Sequence, residues 1–164
     1  MTRMSEQFTA DEIPIKPFND FWSTHKVSCL YLDGRFASVA EVYAREAVTR
    51  GVPVVMDVER SNRDGLIELL AMCTGIIVSG YDTIDNILQT NNKESLFDIS
   101  STLQWMVITL GEKGSVMETR GGEKVTVAAR KVNDVMDTTG AGDAYQAGLV
   151  YSICKRLINK EDNG

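Results

Sequence analysis

From residue 27 onward, hydrophobic positions follow two alternating periods along the chain. Short apolar runs rich in β-branched residues, each bounded by glycine or proline, predict strands. These runs are 27–34, 52–58, 75–80 and 105–111. Between the first two runs, residues 38–51 carry apolar side chains at helical spacing, with Ser38 as the predicted N-cap and Gly51 at the end. The first part of this pattern therefore predicts a strand, a helix and a second strand.

The same alternation continues towards the carboxyl end. A second helix is predicted over 63–73, and a third lies within 81–103 without assigned bounds. Strands this apolar are usually covered on both faces, as in a parallel sheet. Residues 115–129 differ, because two alternating runs flank a Gly-Gly pair and predict an antiparallel hairpin at the sheet edge. The pattern predicts an α/β fold with a mostly parallel sheet, preceded by an irregular leader over residues 1–26.

Charge and composition exclude several classes of partner. The chain has 164 residues, of which 17 are basic and 23 acidic, and its net charge is -6. Because the Lys and Arg residues are scattered along the chain, neither nucleic acid nor an anionic membrane surface is expected to bind. No stretch approaches the ~18 apolar residues that cross a bilayer. Three widely separated cysteines fit a reducing compartment, and each is expected to be a small buried residue. We therefore expect a cytoplasmic protein.

The stretch DTTGAGDAY, residues 137–145, places a glycine turn directly before an apolar helix. Such a turn presents unpaired backbone N–H groups at the positive end of the helix dipole, which suits an anion such as phosphate. A carboxylate one residue later, Asp143, is placed to take a proton from an attacking hydroxyl group. The alternative interpretation is a tight turn followed by an acid that favours the first helical turn.

Three segments, in order, resemble motifs of the PfkB (ribokinase-like) family of carbohydrate kinases. DTTGAGDAY resembles the carboxyl-terminal signature D-T-x-G-A-G-D-x-F, with Tyr145 where Phe is usual. VVMDVERSNRDGLIELL, residues 54–70, resembles the D-x-N-x-R strand end, and WMVITLGEKGSVM, residues 105–117, resembles the T-x-G-x-x-G nucleotide strand. Residues 30–60 are most similar to ketohexokinase-like and plant-type sugar kinases. The resemblance spans roughly residues 27–158.

This resemblance implies a three-layer α/β/α fold and ATP-dependent phosphorylation of a sugar hydroxyl group. Asp143 would be the catalytic base, and the anion hole would consist of Gly140, Ala141 and Gly142. ATP would lie against Thr109, Gly111 and Gly114, whose alternative interpretation is an ordinary exit from a strand. The sugar hydroxyl groups or a bound K⁺ ion would lie beside Asp137 and Thr139.

The resemblance is weaker at the place where the family organises Mg²⁺. An N-x-x-E motif there commonly orders water around the ion, whereas this chain has SGYD over residues 79–82. The ion is therefore expected to bind through water, and its protein ligands stay unassigned. The Arg of D-x-N-x-R is retained as Arg60, for which a solvated salt bridge is an equal alternative.

Family members have roughly twice this length. We expect residues 27–164 to form a partial kinase domain that lacks the lid, the amino-terminal sugar-binding half and the carboxyl-terminal helices. Two functions remain open: the catalytic half of a sugar kinase, or a non-catalytic kinase-like protein that acts through weak nucleotide binding or protein contacts. The helix after Asp143 is apolar around most of its circumference, which predicts an exposed apolar patch and self-association.

Overall fold

A computed structural model describes the backbone of residues 15–161 and the side chains of residues 20–157. The strands are β1 (Leu30–Leu32), β2 (Val54–Val58), β3 (Gly75–Ser79), β4 (Trp105–Thr109), β5 (Ser115–Thr119) and β6 (Lys124–Val127). The helices are α1 (Ile15–Thr24), α2 (Ala37–Thr49), α3 (Leu66–Leu70), α4 (Tyr81–Asn91), α5 (Leu96–Ile99) and α6 (Ala141–Glu161). A 3₁₀ turn, Gly111–Lys113, joins β4 to β5.

The six strands form one sheet in the order of the chain, β1-β2-β3-β4-β5-β6. The first four strands are parallel, and β5 and β6 continue the sheet as an antiparallel hairpin. This arrangement confirms the predicted mostly parallel sheet and the hairpin at its edge. The carboxyl ends of β1 to β4 consequently lie along one edge, which is where α/β proteins bind their ligands.

Helices cover both faces of the sheet. On one face, alternate residues of β2 and β3 pack with α2, α3, α4 and α5 in the main hydrophobic core, in which Val54, Met56 and Ile76 are fully buried. On the opposite face, α6 contacts β1 and β5. These two layers of helices confirm the predicted α/β/α architecture.

The bounds of two helices differ from those that the sequence predicts. The predicted cap Ser38 is wrong, because α2 begins one residue earlier and its N-cap is Phe36, in the left-handed conformation without a side-chain cap. In α3, Gly65 is the N-cap, at φ 74°, and a Cβ atom there would lie 2.5 Å from Cβ of Ala37. Gly65 allows this close approach between α2 and α3, and α3 begins after it rather than at residue 63 as predicted.

The leader is not irregular throughout. Residues 15–24 form α1, so the predicted irregular segment is wrong there, while residues 1–14 lie outside the described residues. Trp22 is 8% exposed and belongs to the main core, and the guanidinium carbon of Arg50 lies 5.5 Å from the centroid of the Trp22 ring system. This long-range contact with the end of α2 stabilises α1, which the polar local sequence does not predict. Within the described residues, no helix is long and apolar enough to cross a membrane.

Candidate active site

The glycine turn forms the entry to α6. Gly140 has φ 76°, a conformation that L side chains rarely adopt, and the helix begins at the next residue. The N–H group of Ala141 donates to the carbonyl of Thr138 at 3.1 Å, and that of Ala144 donates to the carbonyl of Gly140 at 2.9 Å. The N–H groups between these two belong to the first turn, where a helix has no carbonyl partner for them. N–H groups without a partner at the start of a helix are suited to an anion.

The space in front of this turn is open. A Cβ atom built on Gly140 or Gly142 would meet no heavy atom within 4 Å, and the side chain of Asp143 is exposed. A phosphoryl group can therefore approach the backbone closely, with the Asp143 carboxylate beside it.

A side-chain hydrogen bond connects the first turn of α6 with the sheet. The Tyr145 hydroxyl group donates to Oγ of Ser115 at 2.8 Å, and Ser115 pairs with Thr109, the last residue of β4. The start of α6 consequently lies beside the carboxyl end of β4. The predicted base and the predicted nucleotide strand therefore lie on adjacent elements.

The three predicted nucleotide residues have different local roles. Oγ1 of Thr109 donates to the carbonyl of Val78 at 3.3 Å, and Gly111 turns the chain at φ 58° with open space on its Cβ side. Gly114 is different, because a Cβ atom there would lie 2.0 Å from the carbonyl oxygen of Val127. The close packing of the hairpin thus explains Gly114 by itself, whereas Gly111 faces free space.

Asp137 and Thr139 form a small turn ahead of Gly140. Oδ1 of Asp137 accepts a hydrogen bond of 2.8 Å from the backbone N–H of Thr139, which lowers the pKa of the Asp137 carboxyl group. Both side chains are exposed. The turn holds the Asp137 carboxylate ionised near the entry to α6.

The structure also brings together three polar residues that the sequence does not single out. The Tyr31 hydroxyl group of β1 donates to Oε1 of Gln146, and the carboxyl group of Asp57 on β2 lies near both residues, since it raises the pKa of Tyr31 and its own pKa responds to Gln146. Asp57 is 4% exposed, and nothing in the described part of the chain hydrogen-bonds its Oδ1 atom. Burial therefore raises the pKa of Asp57. The signal in the sequence was a single acid within the otherwise apolar run of β2.

A cleft of about 300 Å³ opens beside this cluster. Its lining residues come from β1 and one side of α6: Tyr31, Asp143, Gln146, Ala147 and Val150. Burial raises the pKa of Tyr31 to about 12, and the carboxylates of Asp57 and Asp143 act in the same direction. Tyr31 therefore remains a neutral hydrogen-bond donor at physiological pH, with its hydroxyl group directed to Gln146.

The SGYD segment lies at the carboxyl end of β3. Ser79 ends the strand, the N–H of Gly80 donates to the carbonyl of Thr109 at 3.1 Å, and Asp82 lies exposed in the first turn of α4. No group of three or more His, Cys, Asp or Glu side chains in the described part of the chain is placed to hold a metal ion.

The salt bridge considered for Arg60 is made by another arginine. Glu59 pairs with Arg63 at 2.6 Å and with Arg35 at 3.8 Å. Arg63 also donates to the carbonyl of Asp33, so these groups join the ends of β1 and β2. Arg60 is exposed and takes part in no ion pair among the described residues.

The chain resembles known kinases in sequence and in structure. A nucleoside kinase of Methanocaldococcus jannaschii is 26% identical over 101 residues, which make up 60% of this chain and 32% of that protein. An aminoimidazole riboside kinase of Salmonella typhimurium is 30% identical over 99 residues, or 57% of this chain and 30% of that protein. The chain thus spans about a third of the length of these curated relatives.

The fold is that of a solved ribokinase. The structure of Arabidopsis thaliana ribokinase complexed with ribose and ATP matches with a TM-score of 0.64 at 22% identity, covering 84% of this chain and 46% of that one. The sequence model described as pfkB family carbohydrate kinase matches residues 20–161, and this range includes the whole sheet and the glycine turn with Asp143. The chain therefore belongs to the pfkB family of carbohydrate kinases.

Proposed function

We propose that the chain carries the catalytic part of an ATP-dependent kinase that phosphorylates a hydroxyl group of a sugar or riboside. The observation that supports this most directly is the exposed Asp143 carboxylate on the first turn of α6, immediately after a glycine turn with open space in front of it. A purely structural turn does not require that space.

In the proposed reaction, Asp143 acts as general base. Its carboxylate removes the proton from the substrate hydroxyl group as that oxygen forms its bond to the γ-phosphorus of ATP, and the bond from that phosphorus to the bridging oxygen breaks to release ADP. The N–H groups of Gly142 and Asp143, with the dipole of α6, stabilise the negative charge on the transferring group. Gly140 allows the turn that aims these groups.

The nucleotide is proposed to lie along the end of β4. Thr109 and Gly111 are at the strand exit, and the open Cβ side of Gly111 leaves room for close approach of a ligand. Gly114 is proposed with them, although hairpin packing also accounts for it. The Tyr145–Ser115 hydrogen bond keeps this strand exit beside the glycine turn. This juxtaposition suits an ATP whose γ-phosphoryl group reaches the anion hole.

Few side chains of the proposed site would hold Mg²⁺ or K⁺. Mg²⁺ keeps several waters and binds readily through nucleotide phosphates with one or two carboxylates, and the exposed Asp82 is a carboxylate at this edge of the sheet. When bound, the ion would neutralise phosphate charge. K⁺ is proposed beside the ionised Asp137, whose turn leaves its carboxylate exposed. Cytoplasmic location remains a proposal that rests on composition alone.

The substrate class follows from the relatives. The names of two matched proteins specify a nucleoside and an aminoimidazole riboside, and the matched ribokinase structure contains ribose. These compounds share a ribose unit, so we propose ribose or a riboside ahead of a hexose. The similarity to ketohexokinase-like enzymes keeps ketoses among the compounds to be tested.

A non-catalytic kinase-like protein is the second candidate. It is favoured by the SGYD segment in place of N-x-x-E. Such a protein would bind nucleotide weakly at the same glycine turn without turnover. The two candidates differ in ADP release, which can be measured directly.

The experiment is a coupled assay of ADP release with ribose, inosine, fructose and glucose as acceptors. If the proposal holds, the chain releases ADP with at least one acceptor, and Asp143→Asn lowers the rate by about 10²–10⁴-fold. Asp98→Asn is the matched control, because this acid also lies exposed in the first turn of a helix, in α5, away from the proposed site. Binding of ATP, followed by calorimetry, should change little in Asp143→Asn.

Two results would reject the catalytic proposal. One is ATP binding without ADP release for any acceptor, which supports the non-catalytic candidate. The other is an Asp143→Asn rate within a few-fold of the parent, which would leave Asp143 as a helix-terminal acid only.

A further inference from the structure

The cleft beside Asp143 continues along one side of α6. Four of its lining residues recur at intervals of three or four along this helix and so share one side of it: Asp143, Gln146, Ala147 and Val150. From the first to the last of them the helix rises about 10 Å. The cleft thus starts at the proposed base and leads away from it between α6 and β1. Cys154, on the next turn, does not line the cleft; it is half-buried, as is Cys29, so the expectation of a buried cysteine is confirmed for Cys73 alone.

The opposite wall of the cleft is Tyr31 of β1. Its hydroxyl group donates to Oε1 of Gln146, a residue that is only 7% exposed. Burial raises the pKa of Tyr31 to about 12, so the hydroxyl group keeps its proton, and with it this hydrogen bond, at neutral pH. The bond holds the ring at the cleft, while 38% of Tyr31 stays exposed. An aromatic ring held in this way can stack on a second planar ring.

The chemical character of the wall changes along the cleft. Of the described residues that line it, only Asp143 carries a charge, at the end where the phosphoryl acceptor is proposed. At the other end Ala147 and Val150 present methyl groups, and neither residue is fully buried. A polar group placed there would lose its hydration without gaining a hydrogen bond from these side chains. The matching ligand therefore has hydroxyl groups at one end and a flat apolar group at the other.

We propose that the cleft between β1 and α6 binds the aromatic base of a riboside, whose ribose unit lies at Asp143. The orientation of the ribose rests on the proposed function, whereas binding of the base requires no turnover. Free ribose carries a hydroxyl group where a riboside carries its base, so it would turn that group towards Ala147 and Val150 or leave this part of the cleft unfilled. The volume of about 300 Å³ lies at the lower end of the range of small-molecule sites, roughly 300–1,000 Å³. The substrate class thus narrows from ribose or a riboside to a riboside.

The principal measurement uses the unaltered chain and its binding of two ligands, inosine and ribose. In ¹H–¹⁵N NMR spectra, inosine should shift the amide signals of residues 146–150 and of β1 together with those of the glycine turn. Ribose should shift only those of the glycine turn. Calorimetry should give an affinity for inosine that is about tenfold or more above that for ribose, because only inosine gains the stacking and apolar contacts of a base.

Variants of α6 separate the cleft from the rest of the helix. Val150→Asn places an amide group on the apolar wall and should weaken binding of inosine by about tenfold, with binding of ribose changed by less than about twofold. Leu149→Asn is the matched control, because Leu149 is also half-buried on α6 but does not line the cleft. The control should bind inosine within about twofold of the parent.

Variants of Tyr31 test the stacking contact. Tyr31→Leu removes the ring and should lower the affinity for inosine by about threefold to tenfold, whereas Tyr31→Phe retains the ring and should keep most of that affinity. Circular dichroism identifies the variants that fold. Where a variant does not fold, the NMR comparison of inosine and ribose on the parent chain decides the question.

Three results would overturn the proposal: inosine that leaves the signals of residues 146–150 unmoved, equal affinities for inosine and ribose, or equal losses in Val150→Asn and Leu149→Asn. The assay of ADP release separates this failure from that of the proposed function. ADP release with ribose, without binding of inosine in the cleft, overturns the base site and retains the kinase. Binding of inosine in the cleft, without ADP release from any acceptor, supports the base site and rejects the catalytic proposal.

Discussion

The Tyr145 hydroxyl group donates a hydrogen bond of 2.8 Å to Oγ of Ser115, a side chain that is only 6% exposed. Tyr145 occupies the position at which the family signature usually has Phe, so sequences with the usual Phe lack this hydroxyl group. The bond joins the first turn of α6 to the start of β5, opposite Thr109. It therefore connects the proposed base with the proposed nucleotide strand.

Loss of this hydroxyl group should cost stability. We expect Tyr145→Phe to lower the free energy of unfolding by about 0.5–1.5 kcal/mol, because a largely buried Ser115 hydroxyl loses its partner. Urea denaturation followed by circular dichroism measures the change. Tyr151→Phe, at a position that is 67% exposed, is the control and should have little effect. Equal losses in the two variants would contradict the importance of the bond.

Gly142→Ala should separate ligand binding from folding. Apart from its chain neighbours and the backbone of its own helix, no atom lies within 4 Å of the added methyl group, and alanine favours a helix more than glycine, so stability should be unchanged or higher. A methyl group in the space proposed for phosphate should weaken binding of a non-hydrolysable ATP analogue by about tenfold, or ~1.4 kcal/mol. Gly148→Ala, in the same helix and also in open space, is the matched control for calorimetry. Similar affinities in both variants would argue against the anion hole.

The buried Asp57 should make stability fall as pH rises in the acidic range. Burial raises the pKa of Asp57 in the folded chain, so between the unfolded value, about 4, and the folded value the folded state binds more protons than the unfolded state. The free energy of unfolding decreases with pH across that window and is level above it. Asp57→Asn removes the titrating carboxyl group, so the variant should gain stability relative to the parent as pH rises.

Urea denaturation of the parent and Asp57→Asn at a series of pH values from 3 to 8 checks this sign. The difference between the two proteins should grow through the acidic window and then stay constant. A variant whose relative stability falls with pH would show that Asp57 is stabilised as a carboxylate, against the burial argument.

Gly114 and Gly111 should respond differently to alanine. At Gly114, with φ 95°, the methyl group would lie 2.0 Å from the carbonyl oxygen of Val127, so the hairpin must move and we expect a loss of about 3 kcal/mol or more. At Gly111, with φ 58° and free space, only the left-handed backbone is strained, at a cost of about 1–2 kcal/mol. Denaturant midpoints of the two variants measure the contrast, and equal losses would refute it.

Self-association should accompany the exposed apolar surface. Several large apolar side chains of β6 and the segment after it are exposed, with Met136 at 97%, and Tyr151 of α6 is exposed as well. We expect light scattering to report a mass that rises with protein concentration and falls on dilution. A constant monomer mass across a hundredfold dilution would count against this prediction.

The sequence by itself determined the class of fold and the identity of the glycine turn. The apolar runs of β2, β3 and β4 are continuous because both faces of these strands are buried. Such runs can be recognised in the sequence, and they predict a parallel sheet. The hairpin followed from alternation around a Gly-Gly pair. Gly140 and Asp143 were recognisable because a glycine turn before a helix has a local signature.

Other features are decided by contacts between distant residues, which no local pattern records. Helix α1 exists where Trp22 packs against Arg50, and α3 is short because Gly65 approaches Ala37. The cluster of Tyr31, Asp57 and Gln146 forms only when α6 lies across β1. Periodicity reports which side of an element is buried but not which neighbour covers it, so the partners of these side chains followed only from the tertiary structure.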